Sequence, residues 1–190
     1  MNAPQRDSFL SNSTTVSKYL AMEKAKNRTE ISSFIRERFH ERYVLPFDDN
    51  PKKSGFIMMA SACLLIEALE SFWHGWRKSP NSALAFCQFF DRENRFLPFR
   101  GHAQAFYAHV RCGIMHQGET TGGWHIRRDL NVLFDSPTKT INATVFLREM
   151  DSSLTDYCSR LSTAPWESEE WKKLRKKMKG VCANTTPDVA

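Results

Sequence analysis

At 190 residues the chain is long enough for one medium domain, or a domain with a small appendage, and it can bury a core without covalent staples. Its 41% hydrophobic, 25% charged and 12% aromatic residues, with 14 Phe and 5 Trp, exclude a disordered or collagen-like polymer and require an aromatic core. The net charge of +6 sits in one run, Lys172, Lys173, Arg175, Lys176, Lys177 and Lys179: removing these six from the 27 basic residues leaves 21, equal to the 21 acidic ones, so any affinity for a polyanion belongs to that run.

Residues 1–13 are polar and read as a flexible N-terminus without the apolar stretch of a signal peptide. From Thr14 to Tyr43 apolar residues fall at helical spacing (Val16, Tyr19, Leu20, then Ile31, Phe34, Ile35, Phe39), which predicts one long helix or two with a break near Asn27. Leu45-Pro46 and the stretch from Asp48 to Ser54 carry turn chemistry. Ser54 to Arg77 is apolar nearly all round in its first half and amphipathic in its second, the pattern of a central buried helix. Its apolar run from Phe56 to Ile66 stops at Glu67, short of the roughly 20 residues of a membrane span, so no membrane is expected. A shorter helix follows from Ser82 to Phe90, then a polar loop from Asp91 to Gly101.

From His102 to about Gln117, Ala103, Phe106, Tyr107, Val110 and Ile114 draw an apolar stripe, with Gly118 as the stop. Alternation around Trp124 to Arg127, then Val132 to Phe134 and Thr138 to Ile141, predicts one or two short β-hairpins. Asn142 is placed to cap a helix to about Leu161, and the stretch from Ser168 to Gly180 forms a last helix, acidic first and basic last as the helix dipole prefers. The expected fold is mainly α, a bundle of about five to seven helices with a small β-hairpin insertion around residues 123–141. Residues 14–163 make the helical domain, and residues 166–190 a basic helix and tail that can be deleted with the body still folded.

The five cysteines, Cys63, Cys87, Cys112, Cys158 and Cys182, are odd in number and include no C-x-x-C pair, which argues for a reducing, cytoplasmic setting. No phosphate-binding glycine loop, H-E-x-x-H or G-x-S-x-G is present, so neither nucleotide hydrolysis nor zinc proteolysis has support. His102, His109 and His116, seven apart, rise roughly 10.5 Å per step and cannot share a metal, so they read as solvent-facing. Cys112 beside His116 has no third, orienting group and reads as a small packed thiol rather than a nucleophile. Glu67, Glu70 and His74 give E-x-x-x-H without a second copy, which fits a polar contact inside the bundle, with Arg111 as partner, better than a metal centre. No cofactor or metal is expected.

Tyr107 to Glu119, YAHVRCGIMHQGE, places Arg111 and His116 as R-x-x-x-x-H near a helix end. This resembles the motif of the HEPN superfamily, the helical "higher eukaryotes and prokaryotes nucleotide-binding" domains. The resemblance implies a helical body over about residues 14–163 and a metal-independent RNA-cleaving site at Arg111 and His116, with Glu67, Glu70, Gln117 and Glu119 in support. It also implies a homodimer and, for members of toxin or defence type, an antitoxin-like protein partner. Active members usually carry a polar residue directly after the arginine, where this chain has Cys112.

The residue types fit that chemistry on their own. Driving a ribose 2′-hydroxyl onto its phosphate needs a proton acceptor, a proton donor and a cation against the developing charge. Histidine titrates near neutrality, and arginine keeps its charge while holding two phosphate oxygens. Five residues along an ideal helix leave two side chains about 140° apart, so either the helix distorts near Gly118 or a second subunit completes the site. Phe96, Phe99 and Tyr107 are the candidate contact surface for that subunit, and the basic run is the candidate RNA tether. The other reading is a catalytically silent helical interaction module, with Arg111 in an internal ion pair with Glu67 or Glu70 and His116 simply exposed.

Overall fold

A computed structural model describes residues 7–48, 50–78 and 80–185. Among them run α1 Val16–Lys24, α2 Arg28–Tyr43, α3 Gly55–His74, α4 Ser82–Arg92, α5 Ala103–Phe106, α6 Cys112–Gln117, α7 Ala143–Thr163 and α8 Glu169–Thr185. A π-helical turn, Tyr107–Arg111, joins α5 and α6 into one rod. Three short strands, β1 His125–Arg127, β2 Phe134–Asp135 and β3 Thr140–Asn142, lie between α6 and α7, so the fold is mainly α with a small β insertion, as the sequence predicts. Two compact units are present, each assembled from separated stretches of chain.

One unit comprises the residues up to Phe39, Ser71–Lys78, and the chain from Thr155 onward. The expected break near Asn27 is real: Lys26 is left-handed at φ 53°, and the Asn27 side chain accepts the Glu30 amide to start α2. The preceding segment is not a loose end. Leu10 is fully buried, Arg38 donates to its carbonyl, and the Ser11 and Ser13 hydroxyls donate to Glu37 at 3.0 and 2.6 Å. The expectation of a flexible N-terminus is therefore corrected for the described residues 7–13, because one apolar residue and two serines suffice to dock them; residues 1–6 lie outside the described residues.

The expected basic C-terminal helix forms, as α8, but the expectation that it can be deleted with the body still folded is corrected. Trp171, Leu174 and Met178 are fully buried, and the Trp171 indole donates to the carbonyls of Leu161 (3.0 Å) and Ala164 (3.2 Å). Gly75, left-handed at φ 68°, ends α3 where any Cβ would come within 2.9 Å of the Lys173 carbonyl oxygen. This helix is a wall of the unit's core with a charged outer face, so its removal cannot leave the unit intact; residues 186–190 lie outside the described residues.

The other unit comprises His40–Glu70 and Ser79–Leu154. Its core is aromatic: Phe90 stacks on Phe99 at 5.1 Å, meets Phe106 edge-on at 5.1 Å, and Phe146 lies parallel to Phe106 at 5.6 Å. The expected polar loop after α4 is instead a 3-10 turn, Asn94–Phe99, with Phe96 and Phe99 fully buried. The segment is kinked at Phe96 (φ −108°, ψ 23°), and the bend buries both rings although the sequence around them looks polar. Phe96 and Phe99 consequently offer no contact surface to a second subunit.

In the sheet, β2 and β3 form the predicted hairpin, Phe134 opposite Ile141, whereas β1 runs parallel to β3 with Ile126 opposite Ile141. The insertion therefore holds one hairpin, within the expected one or two. Asn142 caps α7 by accepting the amides of Thr144 (3.0 Å) and Val145 (3.1 Å). Helix α3 is long and apolar enough to cross a membrane by length and composition, but 56% of its most apolar stretch is buried in the structure, as in a core helix.

Candidate functional site

The motif rod begins at Ala103 and ends at Gly118, which is left-handed at φ 71°. The chain then folds back along it: the Thr121 amide donates to the His109 carbonyl at 3.0 Å, and His109 Nδ1 pairs with the Thr121 hydroxyl at 2.9 Å. This return needs Gly113, because any Cβ there would collide with the Glu119 carbonyl oxygen. Glu119 is thereby fixed beside the end of the rod, with its own side chain exposed.

Arg111 ends the π-helical turn, and its Nε donates to Glu67 Oε1 at 2.8 Å. Its guanidinium lies 5.7 Å from the centre of the Tyr107 ring, over its face. Burial works against its charge, but the hydrogen bond and charge of Glu67 more than offset this, and its pKa stands above the ordinary arginine value. The terminal nitrogens of Arg111 have no partner among the described residues, and the side chain keeps 17% of its surface exposed. Tyr107 is pushed up by burial and by its hydrogen bond with Cys112, which places that thiol against the phenol. Behind the pair Cys63 is wholly buried, and desolvation drives its thiol far above the usual range.

Glu70, one turn along α3 from Glu67, is fully buried and pairs with Arg92, so it belongs to a different ion pair from Arg111. His74 stacks on Trp76 at 4.4 Å. Among the described residues no group of three His, Cys, Asp or Glu is close enough to hold a metal ion.

His116, Gln117 and Glu119 are exposed. His102 and His109 are not solvent-facing as expected: both are half-buried, His102 edge-on to Phe134 at 5.4 Å and His109 held by Thr121. The fold-back and the sheet, invisible in a seven-residue spacing, cover them. The helical distortion lies at Tyr107–Arg111 rather than near Gly118, and the chain from Cys112 to Gln117 is regular. Arg111 and His116 therefore keep the ideal separation of about 140° around the rod.

In the basic run, Lys172, Lys176 and Lys179 are exposed, whereas Lys173, Arg175 and Lys177 are half-buried. Arg175 donates to the Trp166 carbonyl at 2.7 Å and lies over its ring at 4.7 Å. Lys177 donates to the Arg77 carbonyl at 3.2 Å, and burial, with the charge of Arg38, holds its ammonium below the usual lysine range. A second cluster of cations escaped the sequence reading: Lys52, Lys53, Arg127 and Arg128 line one cavity. Two dibasic doublets were the only signal, and 73 intervening residues hide their meeting.

Comparison with protein-family models, with curated proteins and with solved structures finds no match to this chain.

Proposed function

We propose that the chain is a HEPN-like RNA-binding protein of the cytoplasm that cleaves RNA without a metal, with Arg111 steadying the phosphate and His116 moving the proton. One observation carries this reading: Glu67 grips Arg111 through Nε alone, leaving the terminal nitrogens, two hydrogen-bond donors side by side, for an oxyanion. A carboxylate that orients an arginine without consuming its fork is how a phosphate clamp is held ready.

Because a regular helix holds His116 far around from Arg111, the reading requires a homodimer in which the two residues of a working site come from different subunits. Gln117 and Glu119, exposed beside His116, supply polar contacts to the same cleft. All five cysteines are free thiols, in keeping with a reducing compartment. An antitoxin-like protein that covers the cleft is the partner this activity calls for.

A second reading, a catalytically silent helical interaction module, is favoured by the charge balance: Glu67 neutralises Arg111 at 2.8 Å, and Cys112 stands where active members carry a polar side chain. Incubating the purified chain with a mixed RNA pool in the presence of a chelator separates the two. Cleavage by the wild type, lowered about a hundredfold or more in His116→Ala and Arg111→Ala, supports the enzyme. No cleavage by a folded wild type leaves the interaction module.

A further inference from the structure

The start of α3 and strand β1 enclose a cavity of about 660 Å³, within the size range of small-ligand sites, whose rim carries Lys52, Lys53, Arg127 and Arg128 and, among the described lining residues, one carboxylate, Asp129. The walls are built rather than draped. Arg128 donates to the Lys52 carbonyl and, at 2.9 Å, to the Thr144 hydroxyl, tying the loop before α3 to the first turn of α7. Gly55 lets α3 approach β1 so closely that a Cβ there would touch Ile126 at 3.0 Å.

The four cations have different duties. Arg128 is spent on structure, and Arg127 is clamped by Asp129 through two hydrogen bonds of 2.8 and 2.7 Å. Lys52 and Lys53 are exposed, and their ammonium groups make no ion pair among the described residues. The cavity thus presents two uncommitted point charges plus a fixed guanidinium, and the positive end of the 20-residue α3 faces it from Gly55 and Phe56. Phe56, 36% exposed, stands on the same wall. A second recess of about 610 Å³ shares Phe56, Ile126 and Arg127 and is lined further on by the carboxylates of Glu119, at the fold-back after the motif rod, and Asp135.

From this geometry we infer a nucleotide site: a phosphate held between Lys52, Lys53 and Arg127, with the attached base against Phe56. A bare anion would use the cations but not the ring, whereas a phosphate bearing a flat aromatic base uses both. A free nucleotide and a nucleotide within an RNA strand share this chemistry. The inference stands on this cavity and does not rest on the cleavage reading.

Calorimetric titration of the full chain with inorganic phosphate, ADP and a short single-stranded oligoadenylate tests it. ADP or the oligoadenylate is expected to bind more tightly than phosphate, and whichever binds tighter identifies the source of the nucleotide. Lys52→Gln with Lys53→Gln, or Arg127→Gln alone, is expected to weaken that binding about tenfold, since each removes charge-assisted hydrogen bonds. Phe56→Ala is expected to weaken the nucleotide probes while leaving phosphate unchanged. ADP binding is read without any RNA cleavage, so failure of the cleavage reading leaves this result standing. The site is overturned if no probe binds at millimolar concentration, or if phosphate binds as tightly as ADP and the oligoadenylate. It is equally overturned if Lys172→Gln, Lys176→Gln and Lys179→Gln together cost as much as the cavity substitutions, since net charge alone would then explain the binding.

Discussion

Helix α8 and the motif rod both draw the eye in the sequence, one for its charge and one for its arginine and histidine, yet they are built in opposite ways. In α8 the conspicuous cations ride on a helix whose other face is buried through Trp171, Leu174 and Met178, and half of them are tethered to their own unit. In the motif rod the buried face stops early: Gly113 is its last buried residue, and Met115 to Glu119 project into solvent. A run of charge can be the outer face of a core helix, kept soluble by those charges. Polar residues past the end of an apolar stripe back no core, so the end of the rod is accessible surface rather than the outer face of a core helix.

The contrast is broken most forcefully at Trp171. Trp171→Ala removes a fully buried indole and the hydrogen bonds that tie α8 to the Leu161 and Ala164 carbonyls, so a loss of about 3–5 kcal/mol in denaturant unfolding is expected. Truncation after Pro165 is expected to abolish cooperative folding of that unit. If the truncated chain kept its full melting transition, the placement of α8 in the core would be wrong.

Arg111 should matter less to stability. Its pair with Glu67 keeps 17% and 21% of the two side chains exposed, so Arg111→Ala is expected to cost about 1 kcal/mol, between a surface pair and a buried one. The same helix supplies its own control: Glu70 is fully buried, and Arg92→Ala is expected to cost about 3 kcal/mol by taking a guanidinium away from that buried carboxylate. Thermal and denaturant melts of both variants, with wild type, check the order. An Arg111→Ala chain as damaged as Arg92→Ala would make Arg111 a structural residue first.

Much of this was legible in the sequence, and what was not has a common cause. Asn27, Asn142 and Gly118 announced helix ends because capping and left-handed turns are chemistry within a few residues. The apolar stripe of the motif rod and the buried character of α3 followed from spacing alone, and the expected pairing of Arg111 with a glutamate of α3 is made with Glu67. The burial of Phe96 and Phe99 depends on a kink at Phe96 that follows no helical period, and charged neighbours mask it. The π-helical turn adds no residue type of its own and leaves the stripe unbroken. The parallel pairing of β1 with β3 and the meeting of Lys52 and Lys53 with Arg127 and Arg128 are long-range facts that no local pattern encodes.

The smallest expected effect is at Lys177, and it separates charge kept for a ligand from charge kept for solubility. Its ammonium donates to the Arg77 carbonyl, its head lies 6.0 Å from the centre of the Phe72 ring, and burial and Arg38 lower its pKa. A lysine whose folded pKa is depressed binds its proton more weakly in the folded state. The unfolded chain therefore carries more protons between the lowered value and the ordinary lysine range, and stability should rise as pH climbs through that window. Lys177→Met keeps the apolar stem, surrenders the hydrogen bond and removes the desolvated charge, so near neutral pH the change is expected to lie within about 0.5 kcal/mol of wild type. It should also flatten the rise of stability in alkaline solution, which melts between neutral pH and the lysine range will read. A sharp loss of stability in Lys177→Met, or an alkaline rise left untouched by it, would mean that the buried ammonium is a strut of the unit rather than a tolerated charge on the rim of a core helix.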